Sequence, residues 1–342
     1  MSTQNNPNKP DHIVRLSLPS KGRLAEDSLS LLKDCGLDVY KPNPRQYEAR
    51  IPNVPELTVL FQRPGDIVAG VRDGSVDFGI TGLDIVEERK GKNGDILILH
   101  EELAFGKCSL ALAIPENMEG VFDMSSLKVF ANSLPVPLRV ATKFPVLTER
   151  FLQKYQIPHT LISSEGTLEL APSIGYADII SDLVSSGQTL HDNRLKLLED
   201  GLILKSQSVL IANRNALKTN PLALKIARQL LEYIEAHLRA NENIAIFANM
   251  RGASPEAIAE QLFLQPTVGG LQGPTISRVI VRDGDPNWYA VNVIVNRNKL
   301  FKAITELRNI GGSGVVVMPV DYIFEEEPPR YTAMLNALEI RS

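Results

Sequence analysis

From Ile13 to Gly82 the chain alternates short apolar runs with helix-spaced segments, and this alternation constrains the fold more than any other feature. Ile13 to Leu18 reads as a strand and Pro19 to Arg23 as its loop. Leu24 to Cys35 reads as a helix, with Leu24, Leu29, Leu31 and Leu32 at helical spacing and Gly36 closing it. A second strand covers Leu57 to Phe61, followed by a helix from about Asp66 to Asp73 that Gly74 stops. Val76 to Gly82 is a short buried strand ending in a glycine-bearing loop. Strands joined through helices run parallel, so the pattern predicts a mainly parallel sheet with ligands at the C-terminal strand ends.

After Gly106 the pattern restarts. Cys108 to Ile114, Arg139 to Ala141 and His159 to Ile162 are strand-like, and Leu147 to Tyr155 is helical. Ala177 to Val184 is an apolar run carrying Asp178 and Asp182. It opens into a Ser185-Ser186-Gly187-Gln188-Thr189 loop ahead of a polar, helix-like segment at Leu190. Strand, small-residue loop and helix start together make an anion-binding arrangement of converging N–H groups and hydroxyls. A loop for phosphate beside an acid, Asp182, for sugar hydroxyls points to a phosphoribosyl ligand; an ordinary turn is the alternative. Leu202 to Ala212 reads as a return into the first lobe. The expectation is a two-lobed α/β body with a cleft: residues 1–105 and 200–225 form lobe I, and 106–199 form lobe II.

Beyond the amphipathic helix that Asn220-Pro221 begins, the order changes. Ile244 to Met250, Ser254 to Leu264, Thr275 to Val281, Tyr289 to Val295, Lys299 to Ile310 and Gly314 to Pro319 read as strand, helix, strand, strand, helix, strand. That βαββαβ order is the ferredoxin-like signature. It predicts a third domain over 226–327, with 328–342 as a loose tail. The polar Met1 to Pro10 segment reads as a disordered tail rather than a signal peptide or anchor. A net charge of −4 argues against a general nucleic-acid or membrane-surface binder, so any anion site must be local. Cys35 and Cys108 read as buried thiols of a reducing, cytoplasmic compartment, and all five histidines as incidental, with His159 and His191 at the surface.

Five motifs occur in order: Leu18-Pro19-Ser20-Lys21-Gly22-Arg23-Leu24, Arg63-Pro64-Gly65-Asp66-Ile67, Asp77-Phe78-Gly79-Ile80-Thr81-Gly82-Leu83-Asp84, Phe105-Gly106-Lys107-Cys108, and Ala177-Asp178 through Leu190. Together, across residues 13 to 324, they closely resemble the ATP phosphoribosyltransferases. Gly311-Gly312-Ser313-Gly314 and the C-terminal domain resemble the long form of that family. The resemblance implies a bilobal, periplasmic-binding-protein-like catalytic body with a ferredoxin-like regulatory domain. It also implies transfer of phosphoribose from phosphoribosyl pyrophosphate onto N1 of the ATP adenine with Mg²⁺ present, inhibition by L-histidine, and assembly from dimers into hexamers. N1 already carries a lone pair. The barrier is therefore breakage of the C1–O bond, which calls for positioning and charge stabilisation more than for a strong base.

The implied catalytic residues are Lys21, Arg23, Arg63 and Arg45, cations suited to phosphates. Lys21 and Arg23 also lie at the positive end of a helix, an unfavourable place without an anion. The implied substrate ligands are Gly22, Asp84, Glu165, Gly166, Thr167, Glu169, Asp182, Ser185, Ser186, Gly187, Gln188 and Thr189. Asp84 can hold ribose or adenine, cap the helix after it, or do both. Glu169 is open between Mg²⁺, ribose and a surface cap. Asp77 and Asp178 read as structural. Asn249, Thr275 and Ser313 are the implied effector ligands. Two rivals compete with this reading. A prephenate-dehydratase-like enzyme would want Thr-Arg-Phe where Thr142-Lys143-Phe144 stands, and lysine is a poor substitute for a guanidinium fork. A solute-binding module would share the cleft but leave the basic loop residues unexplained.

Overall fold

The computed structural model describes residues 13–43, 45–163, 166–280 and 287–340. The expected N-terminal tail, the end of the strand predicted to reach Val281, and Glu165 lie outside the described residues. The chain divides into two compact units. One runs to Gln229 and resumes at Pro329; the other is Leu230–Pro328.

The first unit carries two sheets. In the first, β1 (Val14–Pro19) lies between β3 (Val54–Gln62) and β4 (Phe78–Gly82), parallel to both. The sheet is completed by β2 (Glu48–Ile51), β5 (Ile96–His100) and β11 (Ser208–Asn213), in the order β2-β3-β1-β4-β11-β5. The second sheet contains β6 (Cys108–Pro115), β7 (Leu138–Thr142), β8 (His159–Ser163), β9 (Ile179–Val184) and β10 (Leu195–Ser206), ordered β10-β6-β9-β7-β8, with β7 parallel to β8 and β9. The sheets are mixed rather than mainly parallel. Strands β6, β10 and β11 flank the chain's passages between sheets and pair antiparallel, because a chain returning directly, without a crossover helix, enters the sheet in the opposite sense. The return itself falls at Gln207 rather than near residue 200, since β10 stays in the second sheet through Ser206.

Both sheets use one device beneath their parallel strands. The Arg15 N–H donates to Asp77 Oδ2 at 2.8 Å, and the Arg139 N–H donates to Asp178 Oδ2 at 2.8 Å. In return the Asp77 N–H reaches the Arg15 carbonyl, and the Asp178 N–H that of Arg139. Both aspartates are structural, as their positions suggested. Helices cover the sheets with apolar faces: Ile67, Val68 and Val71 under the first sheet, Met124, Leu127 and Leu152 under the second.

The second unit has β12 (Asn243–Arg251), β13 (Thr275–Arg278), β14 (Trp288–Asn296) and β15 (Ser313–Met318) in an antiparallel sheet ordered β13-β14-β12-β15. Helices Pro255–Phe263 and Leu300–Asn309 complete the ferredoxin-like βαββαβ fold. Its core is Ile246, Met250, Ile258, Leu262, Val291 and Leu307 with their neighbours.

Where a loose tail is predicted from residue 328, the described residues hold a packed helix. Pro329–Leu338 is a helix whose Met334, Leu335 and Leu338 are buried, packed on β5 and the helix Arg214–Thr219. Arg330 pairs with Glu101 at 3.2 Å, and Arg214 Nη1 donates to the Ala337 carbonyl at 2.7 Å. The acidic, proline-containing run before it suggested disorder, but apolar spacing inside the following ten residues decides the outcome. No helix among the described residues is long and apolar enough to cross a membrane.

Candidate active site

The C-terminal ends of β1, β3 and β4 lie along one edge of the first sheet, and three of the predicted cations lie on the loops that leave it. The Ser20 N–H donates to the Gln62 carbonyl at 2.8 Å, which fastens the Lys21 loop beside Arg63. Gly22, at φ 77°, turns that loop into the helix Arg23–Asp34, a backbone geometry that favours glycine. Lys21, Arg23 and Arg63 are all exposed. The Arg23 guanidinium lies 3.8 Å from Asp27 and is 72% exposed, so this pair adds little stability and leaves the cation accessible to an anion. Arg63 occupies the N-cap position of the helix Pro64–Asp73 without a capping side chain. Arg45 stands apart, in the loop before β2 near the end of β3, where the Tyr47 carbonyl accepts from the Phe61 N–H; its own N–H donates to Asn43 Oδ1. Of the four cations it is the outermost.

Asp84 departs from expectation. The N-cap of the helix Leu83–Arg89 is Gly82, and Asp84 sits in the first turn, buried, 5% exposed. Ser206 Oγ donates to Asp84 Oδ1 at 2.6 Å and accepts from the Asp84 N–H at 2.9 Å. Burial holds this carboxyl above its ordinary range, against the hydrogen bonds from Ser206 and from the Asp84 and Ile85 amides. A side chain at Gly82 would collide with Asp84 Oδ1. Asp84 therefore ties the first sheet's edge to the returning strand β10. Cys108 belongs to the same knot and is half-buried rather than buried. Burial, then Asp84, raises its thiol, while Ser206 and the Arg23 charge lower it. Arg23 thus lies within electrostatic reach of the junction between the sheets. A cavity of about 520 Å³ opens there, lined by Lys107, Cys108, Ser185, Lys205, Ser206 and Gln207 among others.

The facing edge, formed by β7, β8 and β9, carries acids and hydroxyls. Asp182 lies on β9 just before the Ser185-Ser186-Gly187 loop, and its Oδ1 accepts from the Leu183 N–H at 2.8 Å. Burial raises its carboxyl most; nearby Lys143 lowers it and nearby Glu169 raises it. The structure therefore brings Asp182, Glu169 and Lys143 together. Glu169 lies on the short 3-10 turn Leu168–Leu170, after exposed Gly166 and Thr167. Gly187 has φ 78° and opens the short helix Gln188–Asp192, which begins two residues before the predicted Leu190. Ser185, Ser186, Gln188 and Thr189 are exposed on this loop. A carboxylate held above its usual range beside an exposed hydroxyl loop is characteristic of a binding site.

Lys143 was visible in the sequence only as part of the rival Thr-Arg-Phe comparison. The structure assigns the neighbouring Thr142 to the scaffold: its buried Oγ1 accepts from the Phe144 N–H and lies 3.2 Å from Thr148 Oγ1. Lysine immediately after a strand of the parallel set, mirroring Lys21, was the available signal. One histidine reading also changes. His159 is 8% exposed and bonded to Glu149 at 2.8 Å, so it is not a surface group. His100 is buried with its imidazole pushed down to about 3 by burial and by Arg330. His191 stays at the surface. Cys35 is fully buried and its thiol is pushed up to about 12 by burial, with a smaller contribution from Asp34.

The three effector candidates do not converge. Ser313 Oγ donates to the Asn249 carbonyl at 3.3 Å across β12 and β15. Thr275 pairs with Asn292 on the far side of the sheet, roughly 14 Å from β15 at ordinary strand spacing. Thr275 instead lines a cavity of about 900 Å³ with Asn243, Gly270, Gly273 and Asn292. Asn292 Oδ1 is buried there without a hydrogen-bond partner among the described residues, and no motif or periodicity singles it out.

Comparisons with known proteins agree with this architecture. Residues 63–236 match the family described as HisG: ATP phosphoribosyltransferase, and residues 240–322 match the HisG C-terminal domain. ATP phosphoribosyltransferase 2, chloroplastic, of Arabidopsis thaliana is 48% identical over 334 residues, covering 95% of this chain and 80% of its own. The ATP phosphoribosyltransferase of Methanococcus maripaludis is 32% identical, covering 91% of this chain and all of its own. A chain of the ATP phosphoribosyl transferase (HisG:HisZ) complex from Thermotoga maritima superposes with a TM-score of 0.51 over 65% of this chain and 98% of its own, at 24% identity. Family matches spanning both units, and relatives aligned over nearly the whole chain, lead to one conclusion: this chain belongs to the ATP phosphoribosyltransferase family.

Proposed function

We propose that the protein joins N1 of the ATP adenine to C1 of phosphoribosyl pyrophosphate and releases pyrophosphate, the first step of histidine biosynthesis. The observation that carries this reading is the complementarity of the two edges in one body. One edge carries Lys21, Arg23 and Arg63; the other carries Asp182 and Glu169 beside the Ser185–Gly187 loop. Cations suit the polyphosphates. Asp182 suits the ribose diol, and Ser185, Ser186, Gly187, Gln188 and Thr189 suit the 5-phosphate.

As the C1–O bond lengthens, positive charge grows on the ribose and negative charge on the leaving pyrophosphate. In this reading Asp182 would face the first charge and the first edge's cations the second. Ligands held between the two edges would have N1 in line with C1, so positioning supplies much of the acceleration. No group of three or more metal-ligating side chains occurs among the described residues. Mg²⁺ takes one or two carboxylates plus substrate phosphate oxygens, a donor set that Glu169 and Asp182 fit. Bound there, Mg²⁺ would offset charge on the departing pyrophosphate.

The two-sheet unit is the catalytic body in this reading, and the ferredoxin-like unit is regulatory, with L-histidine as its ligand at Asn249, Thr275 and Ser313. Because Thr275 is distant from the other two within one chain, it would join them only across copies, in keeping with a dimer-to-hexamer assembly. The free cysteines fit a reducing compartment such as the cytoplasm.

The test is absorbance of the purified protein with ATP, Mg²⁺, phosphoribosyl pyrophosphate and added pyrophosphatase, with and without histidine. A rising N1-substituted adenine signal that histidine suppresses is expected. A signal indifferent to histidine removes the effector, and no signal with both substrates present sinks the transferase reading.

A further inference from the structure

The helix Leu83–Arg89 touches both halves of the catalytic body. At its start, Asp84 is bonded to Ser206 on β10, a strand of the second sheet. In its middle, Ile85 packs against two apolar cores: Val68, Val86 and Val209 on the first sheet's side, and Leu110, Phe144 and Leu147 on the second's. Near its end, Glu88 reaches the helix Pro145–Lys154, which belongs to the second sheet. Glu88 Oε1 accepts from the Val146 N–H at 2.8 Å and Oε2 from the Leu147 N–H at 3.0 Å.

That second helix has no cap of its own. Its N-cap residue is Phe144, which carries no acceptor, and no capping hydrogen bond forms there. First-turn amides left without partners cost stability, and here a carboxylate from the opposite half supplies them, well placed against the helix dipole. The connection continues inward. Thr148, in the same first turn, has its Oγ1 2.8 Å from Ser181 Oγ on β9, and the next residue along that strand is Asp182. Phe144 itself follows Lys143, the cation that acts on Asp182.

We propose that Glu88 is a positioning residue for phosphoribosyl transfer. It locks the second half's helix Pro145–Lys154 onto the first half and thereby fixes Asp182 and Lys143 at the separation from Lys21 and Arg63 that the reaction needs. The inference rests on the transferase reading for its chemistry but not for its geometry.

The experiment separates the two. Nitroxides on ketone-bearing residues introduced at Ser30 and Val129, exposed positions in the first and second halves, report the distance between halves. Labelled chains are diluted with unlabelled protein so that only distances within one chain are read. Glu88→Ala should broaden or shift the distribution seen in the parent and lower kcat by at least about tenfold, since small misplacements at a reacting centre are expensive. Glu88→Gln, which keeps one acceptor, should fall between the two and remain folded. A structural cap would lower the melting temperature alone. An unchanged distance distribution in both variants overturns the proposal whatever happens to turnover, and so does a broadened distribution with unchanged kcat. If the parent makes no product, the transferase reading fails while the distance measurement still decides the lock.

Discussion

The two halves of the catalytic body share a scaffold and differ in their edges. Arg15 with Asp77, and Arg139 with Asp178, form the same reciprocal backbone clamp beneath the same parallel trio of strands. Lys21 and Lys143 follow the matching strands β1 and β7. Above the clamps the halves diverge. The first edge adds Arg23 and Arg63, whereas the second adds Asp182, Glu169 and a Ser-Ser-Gly loop. The clamp ties an aspartate carboxylate to a backbone N–H in each half and tolerates repetition. The edges carry the chemistry, and a transfer between two unlike substrates needs unlike edges.

That comparison can be broken at several points. Asp182→Ala should raise the KM for phosphoribosyl pyrophosphate by about 10- to 100-fold, the scale of lost hydrogen bonds to a charged group, while leaving the KM for ATP nearly unchanged. Equal rises for both substrates would show that the edges do not divide the labour. Arg63→Ala should lower turnover by about tenfold through weaker stabilisation of the departing charge, read in steady-state assays with excess of both substrates. Unchanged turnover would remove Arg63 from the site. Asp77→Ala and Asp178→Ala each leave a backbone N–H unpaired and should cost about 1–3 kcal/mol in denaturant unfolding, with KM values intact. A selective effect of Asp178→Ala on one substrate would mean the clamp is not mere scaffold.

The smallest effect concerns His100, at the end of β5 and beside the passage into the second sheet. Its folded pKa is pushed down to about 3, so the unfolded chain takes up a proton first as pH falls. Its contribution to stability is complete above the unfolded value of about 6.5 and is lost as pH drops toward the folded value. Melting temperature should therefore fall between about pH 7.5 and 5, and less steeply in His100→Gln than in the parent. Parallel curves would clear His100 of that role.

Much of this was legible in the chain itself. Leu24, Leu31 and Leu32 announced the first helix, the clear alternation of Tyr289 to Val295 announced β14, and the strand-loop-helix at Asp182 announced the second edge. Strands β2 and β5 and the helix Met124–Ser133 do not stand out in the apolar periodicity. β2 has only four residues, too few for a periodic signal. The helix did carry a local signature: Asp123 and Ser126 form a capping box.

What the sequence alone determined is the local order: which segments are strands or helices, which loops carry cations, acids or glycines, and that the C-terminal third is βαββαβ. Those features follow from periodicity and turn chemistry, which act over a few residues. Only the tertiary structure decided that Asp84 is bound to Ser206, 122 residues away, and that Thr275 lies apart from Asn249 and Ser313. It also decided that residues 329–338 pack as a helix, and that Glu88 caps a helix of the opposite half. Each depends on a contact between distant parts of the chain, whose free energy exists only once the sheets and helices around it have formed.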